Sequence, residues 1–340
     1  MMNDTMIGLD LAKRVFHVVE LNAAGKVIKR KGLRRSQLLA FFAQHPVARV
    51  AMEACASSHY WGRELQRLGH HVLLLPPQHV KAYARGQKND YNDAQAIAEA
   101  ARHGAIMPVA IRTVAQQDGQ AIHRIRSQLI RDRTALCNQV RGLLAERGLV
   151  IPQGVTSIRK GVPELLAQSN DELSPLFRSL LQRRYEHLVA LDEEIAWHDQ
   201  QLLTQSQADE CCQRLQTLPG IGPMGGHMLS LWLSDGHQFR KGRDASAALG
   251  VVPRQHSSGG KAQLLGITKR GDGYLRRLLI QGAHAVLRHV AGKTDRLSVW
   301  LQSVKARCGV FKAAVAYVNK LTRMAWALVR SGGVYQVGTV

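Results

Sequence analysis

Met6-Ile7-Gly8-Leu9-Asp10-Leu11 is a short apolar run with a single acid in it, and its reading decides the first hundred residues. A run of this length predicts a buried strand, where a carboxylate is costly unless it is paired or held on a metal. Two further strands, Val15–Leu21 and Lys26–Gly32, follow across the hairpin signal Asn22-Ala23-Ala24-Gly25. Ser36–Gln44 reads as a helix capped by Ser36. Ala48–Ala54 is a fourth strand and carries Glu53. Tyr60–Leu68 is a helix ending at Gly69, and His71–Leu75 is a fifth strand closed by Pro76-Pro77, with another helix after it.

Two more acids, Asp90 and Asp93, stand three apart just before the helical stretch Ala94–Arg102. On a helix, positions i and i+3 share a face, so both carboxylates can point at one ion. Two hard divalent ions held by such oxygens, about 3.5–4 Å apart, clamp the attacking and leaving oxygens of a phosphodiester. Asp10, Glu53, Asp90 and Asp93 are therefore expected to form a nuclease-type magnesium site. Taken singly, the acids have plainer readings: Asp90 and Asp93 as cap and first-turn acids, Glu53 as an exposed strand residue. Asp10 is the hardest to explain that way. Three strands with an acid on the first, an acid on the fourth and acids at a late helix is the layout of a ribonuclease-H-like fold. Neighbouring first and fourth strands would bring Asp10 and Glu53 together.

The charge names a class of partner. The 340 residues carry a formal net charge of +21. From Arg240 to Val340 there are 18 Lys or Arg against three acids, Asp244, Asp272 and Asp295, so this stretch holds +15 of that total. A concentrated basic field binds polyanions by releasing counterions, largely without regard to sequence. A membrane surface is the rival, but no apolar run is long enough to span and no signal peptide opens the chain. Nucleic acid is the expected partner. The five cysteines show no CxxC pairing and no zinc spacing, which fits small buried residues in a reducing compartment.

The middle of the chain reads as an elongated helical arm. Ile122, Ile125, Leu129, Leu136 and Leu143 fall near a heptad pattern, and Leu181, Leu188, Leu191, Ile195 and Leu202 repeat it more cleanly. Pro152, Gly154, Gly161 and Pro163 mark a turn-rich connection between them. The plainer alternative is a helical bundle packed on the core. Arg124, Arg126, Arg131, Arg133 and Arg141 suit a phosphate backbone, although a solvated basic face would look the same. Further on, Leu218-Pro219-Gly220-Ile221-Gly222 before the helical run Met224–Leu233 resembles a helix-hairpin-helix element, whose N–H groups can meet a phosphate. A plain turn between two helices is the alternative.

Ser257-Ser258-Gly259-Gly260 lies between Arg254 and Lys261, with Lys269, Arg270, Arg276 and Arg277 close behind. A serine hydroxyl is a poor nucleophile unless something takes its proton or stabilises the developing charge, and cations near a phosphate do the latter. In isolation the four residues read as a flexible loop. Tyr274 is a second candidate nucleophile, but a cap at Asp272 would put it in the first turn of an apolar helix, where packing explains it.

Together these pieces resemble the insertion-sequence-110 family of transposases. Ile7-Gly8-Leu9-Asp10-Leu11-Ala12-Lys13, Ala51-Met52-Glu53-Ala54-Cys55 and Asp90-Tyr91-Asn92-Asp93-Ala94 look like its DEDD tetrad. Leu218–Gly222, Leu249-Gly250-Val251-Val252-Pro253-Arg254, Ser258-Gly259 and Gly271–Arg277 look like its C-terminal domain. The resemblance covers nearly the whole chain in order. It implies a RuvC-like DEDD domain over residues 1–110, a helical coiled-coil region over 111–208 and a mainly helical, serine-bearing transposase domain over 209–335. It also implies Mg2+, DNA recombination directed by a structured non-coding guide RNA from the same element, a homo-oligomer, and a bacterial cytoplasmic, nucleoid-associated setting. The family's nucleophile falls on Ser258, with Ser257 one residue away. A RuvC-like junction resolvase using water, or a non-catalytic nucleic-acid-binding architectural protein, are the alternatives; the clustered acids, which repel phosphate, argue against the latter.

Overall fold

The computed structural model describes residues 5–87, 89–104, 106–168 and 172–338. The chain divides into two compact units, one comprising residues 1–116 and 233–244, the other residues 117–232 and 245–340.

The first unit is built on a five-stranded sheet. Strands β1 (Met6–Asp10), β2 (Val15–Leu21), β3 (Val27–Arg34), β4 (Arg49–Glu53) and β5 (His71–Leu75) stand in the order β3-β2-β1-β4-β5. β1, β2 and β3 run antiparallel, while β4 and β5 run parallel to β1. Side chains alternate across a strand, and the two faces carry different cores. Ile7, Leu9, Phe16, Val18, Val50 and Met52 pack with Leu38 and Phe42 of α1 (Leu38–Gln44) and with Trp61 and Leu65 of α2 (Ser58–Arg67). Met6, Val19, Leu21 and Ala51 pack instead with Val80 of α3 (Pro77–Val80) and with the alanine-rich face of α4 (Asp90–Arg102). Ser36 is not a helix cap. It sits in a 3-10 turn, Arg35–Gln37, where the Gln37 side chain accepts from the Arg34 N–H at 2.9 Å and takes over the capping role.

In the second unit, helices α5 (Val114–Ala145) and α7 (Pro175–Ala208) lie antiparallel. Arg126 pairs with Asp199 and Arg133 with Asp192 (2.8 Å), so seven residues forward on one helix is seven back on the other. The cleaner heptad set is buried as expected, from Leu181 to Leu202. The first set is buried only in part: Leu136 is buried and Leu129 packs against the core, but Ile125 and Leu143 are exposed, and Cys137, Val140 and Leu144 fill out the buried face of α5. For two of the five arginines the phosphate-facing reading is corrected, because Arg126 and Arg133 are paired with acids of α7, whereas Arg124 and Arg131 are exposed. The expected turn-rich connection contains a helix, α6 (Val155–Ala167), with Pro163 inside it. Proline removes the N–H that would serve Arg159 O, and the Tyr185 hydroxyl donates to that carbonyl at 3.4 Å. Ile158 and Val162 then bury against α5 and α7, which outweighs the local breakers.

Helices α8 (Glu210–Gln216), α9 (Pro223–Leu233), α10 (Gly242–Leu249), α11 (Gly273–Arg288) and α12 (Arg296–Ser331, broken at Gly309) follow. The turn between α8 and α9 is used internally, since the Tyr317 hydroxyl donates to Pro219 O at 2.6 Å. Between α10 and α11 the chain forms an antiparallel ribbon, β6 (Pro253–Ser258) and β7 (Lys261–Ile267), rather than a flexible loop. Among the described residues, no helix is long and apolar enough to cross a membrane.

Candidate metal centre and serine ribbon

Register puts the acids together. Gly8 and Asp10 share the face of β1 that meets α4, as Ala51 and Glu53 share that face of β4. β1 and β4 pair in parallel up to Leu9 opposite Met52, so one further step brings Asp10 beside Glu53 at the carboxyl ends of both strands. In open α/β sheets ligands bind beyond those ends. The helix is set by close packing. A Cβ on Gly8 would stand 1.9 Å from Ala94 O and 2.9 Å from the Ala98 Cβ, so the helix backbone lies directly on the strand. Asn89 caps α4 by accepting from the Tyr91 N–H at 2.9 Å. Asp90 and Asp93 therefore lie in its first turn, just ahead of Ala94, and both act electrostatically on Asp10.

The charges register this crowding. Burial raises the Asp10 carboxyl, Asp93 and then Asp90 raise it further, and His17 and the Leu11 N–H pull it back. Glu53 is raised by burial, then by Asp10 and Asp93. Like charges in one half-buried place are tolerated when a cation offsets them. The donors are hard carboxylate oxygens, as a divalent ion of the magnesium type requires. The residues fit such an ion.

One neighbour is not evident from sequence. His17 of β2 stands directly across from Asp10 in the antiparallel register. Its Nδ1 lies 3.5 Å from Asp90 Oδ2, and its ring meets the Tyr91 ring edge-on at 4.7 Å. Asp10, His17 and Asp90 each bring one donor atom within 4.8 Å of the others. The only signal in the sequence was a polar residue inside an apolar strand, the same signal that marks Asp10.

Ser258 belongs to the second unit. It ends β6 and pairs with Lys261 across Gly259-Gly260, whose φ of +56° and +76° make the two-residue turn that matches strand twist. Every residue of β6 is exposed. Arg254, Lys261, Lys269, Arg270 and Arg277 are exposed, while Arg276 donates to Leu249 O at 3.0 Å and Gly271 O at 3.4 Å. Asp272 caps α11, accepting from the N–H groups of Tyr274 and Leu275 at 2.8 and 3.0 Å. The Tyr274 hydroxyl is not free; it lies 3.0 Å from Nδ1 of buried His123, whose Nε2 is 3.1 Å from His227 Nδ1.

Residues 7–147 match the DEDD-type profile of the IS110 group, described as "Transposase", and residues 212–297 match the profile described as "Transposase IS116/IS110/IS902 family". The chain is 42% identical to the transposase for insertion sequence element IS1111A of Coxiella burnetii, over 98% of this chain and 92% of that one. It is 44% identical to a probable family 20 transposase of Pseudomonas aeruginosa, over 99% and 100%. It is 39% identical to the transposase for insertion sequence element IS1328 of Yersinia enterocolitica, over 98% and 99%. A DEDD transposase domain suggests a divalent metal, in keeping with the acids assembled here. With matches that run through both units and along nearly its whole length, the chain belongs to the IS110 family of insertion-sequence transposases.

Proposed function

We propose that this chain cuts and rejoins DNA through a covalent 5′-phosphoserine on Ser258, with Mg2+ held by Asp10, Glu53, Asp90 and Asp93. The observation that carries the reading is the meeting of a strand-end acid from each of two parallel neighbours with the first turn of α4. A β3-β2-β1-β4-β5 sheet with three antiparallel and two parallel strands suits a ribonuclease-H-like, RuvC-like domain, here over residues 1–110. Residues 111–208 would then form a coiled-coil region and 209–335 the serine-bearing domain.

In this chemistry the Ser258 Oγ gives up its proton and attacks phosphorus. The bond from phosphorus to the 3′ oxygen breaks, that oxygen takes a proton, and a 3′-hydroxyl leaves. The phosphate stays esterified to serine and to the 5′ strand. A 3′-hydroxyl from another strand reverses the step, so no external energy source is needed for rejoining. When bound, Mg2+ supplies positive charge to the phosphate oxygens. Arg254 and Lys261 flank the serine and would stabilise the same charge, with Lys269, Arg270, Arg276 and Arg277 gripping the phosphate backbone.

The partners in this reading are the element's ends, a target DNA and a structured guide RNA from the element. The +15 carried by residues 240–340 supports polyanion binding of both kinds. Sequencing of RNA that co-purifies from the native host tests the guide: a transcript of flanking non-coding DNA supports it, and random cellular RNA refutes it. A homo-oligomer is tested by mixing inactive Asp10→Ala and Ser258→Ala chains, which regain part of their activity if intact halves combine. The catalytic claim is tested by cleavage of end-bearing DNA with and without chelator. Full activity in excess EDTA contradicts it. Cleavage that survives Ser258→Ala without any protein–DNA adduct would instead favour a water-using resolvase.

A further inference from the structure

We infer that His17 is a direct metal ligand, and that it makes one of two ion positions selective for Mn2+ over Mg2+. The inference rests on the reading of the acids as a metal site and extends it. His17 lies on β2, opposite Asp10 in register and on the same face of the sheet, so its ring projects where the Asp10 carboxylate does. Its Nδ1 is shut off from solvent and has no hydrogen-bond partner among the described residues; Asp90 Oδ2 is 3.5 Å away, longer than a hydrogen bond should be. A polar atom buried without a partner calls for an explanation, and an ion is one.

The surroundings hold that nitrogen in place. Tyr91 follows Asp90 in α4 and meets the His17 ring edge-on, with planes 80° apart. One helical turn thus presents a carboxylate and braces the imidazole. The donor atoms of Asp10, His17 and Asp90 lie within 4.8 Å of one another. Ligands at about 2.1–2.3 Å from an ion lie about 3 Å apart when adjacent and somewhat over 4 Å when opposite, so a small contraction closes the set.

Chemistry separates the two positions. Glu53 and Asp93, with Asp10, offer oxygen alone, which suits Mg2+. His17 and Asp90, with Asp10, offer one nitrogen and carboxylate oxygens. Magnesium takes oxygen ligands and keeps its water, whereas imidazole binds first-row transition ions more strongly. Asp10 is common to both sets and can bridge.

The test uses the full-length chain with Mn2+ as the probe and no DNA. Pulsed electron paramagnetic resonance of bound Mn2+ reads directly attached imidazole nitrogen, and calorimetry counts the ions. The expected result is a nitrogen modulation in the wild-type chain that disappears in His17→Gln. Calorimetry should show two Mn2+ in the wild type, one of them weakened at least about tenfold in the variant, since losing even an outer-shell partner costs about that much. Thermal melting of the metal-free chains should coincide, which separates ligation from a folding effect. His17→Asn, a shorter amide, should behave like His17→Gln. Bound Mn2+ without nitrogen modulation, or a modulation that survives both variants, overturns the role of His17 and leaves the acid site standing. No Mn2+ binding to the wild-type chain overturns the acid site as well.

Discussion

Asp10 and Glu53 end strands whose other residues are almost all buried, whereas Ser258 ends a strand exposed along its whole length. The acids are held by a continuous sheet, by a helix lying directly on Gly8 and by a cap at Asn89. The serine is held by one neighbouring strand and a two-glycine turn. The first arrangement repels itself and stands on rigid elements, as a site meant to grip cations must. The second has little to lose by moving. The acids are the prepared half of the chemistry, and the ribbon is the half that substrate must organise.

The largest expected effect strikes the prepared half. Asp10→Asn, Glu53→Gln, Asp90→Asn and Asp93→Asn should each lower strand cleavage on the order of a thousandfold. Nucleic-acid binding should be retained, as read by gel shift. An acid whose neutral isostere keeps full activity is not part of the site.

Next comes the contact that assembles it. Gly8→Ala places a methyl group against Ala94 O and should destabilise the chain by about 2–3 kcal/mol, read by denaturant melting. Its Mn2+ affinity should fall with it, because α4 carries Asp90 and Asp93. Unchanged stability would mean that the helix does not lie on the strand.

The interior of the second unit offers a buried polar network to set against the exposed ribbon. Burial, then His227 and then Arg126 hold the His123 imidazole down at about 3. Unfolded, it titrates near 6.5. Between those values only the unfolded chain takes the proton, so stability is complete above about pH 6.5 and is lost as pH falls toward 3. The slope from this one group is at most about 1.4 kcal/mol per pH unit. Melting of His123→Gln against pH should be flatter over that window, and an unchanged acid limb would contradict the burial of a neutral ring.

The smallest effect tests the ribbon. Gly260→Ala meets open space but keeps a φ of +76°, costing about 1 kcal/mol locally. The melting temperature should hold while covalent adduct yield falls several-fold. Gly259→Asn, which suits the same turn, should keep the yield. A parallel fall in melting temperature would mean that the ribbon is part of the core.

Much of this was legible in the sequence, for reasons that differ by place. The five strands are visible because buried strands are short apolar runs and their turns carry Gly and Asn. The acids stand out because charge inside such runs is costly. α6 was hidden, since Gly161 and Pro163 speak for a turn until Ile158 and Val162 find a core contributed by α5 and α7. Arg126 and Arg133 looked like a phosphate-facing stripe because their partners lie on a helix some sixty to seventy residues away. The ribbon was hidden because exposure on every side erases the alternation by which strands are recognised. His17 escaped notice because only register sets it against Asp10.

Serine chemistry stands or falls on the atom that joins protein to DNA. Cleavage with an end-bearing substrate, quenching in denaturant, proteolysis and mass spectrometry of the DNA-linked peptide should place a 5′-phosphate on Ser258. Ser258→Ala should abolish the linked peptide, and Ser257→Ala should retain it. A linkage on Ser257 or Tyr274, or cleavage with no linked peptide, would contradict the account.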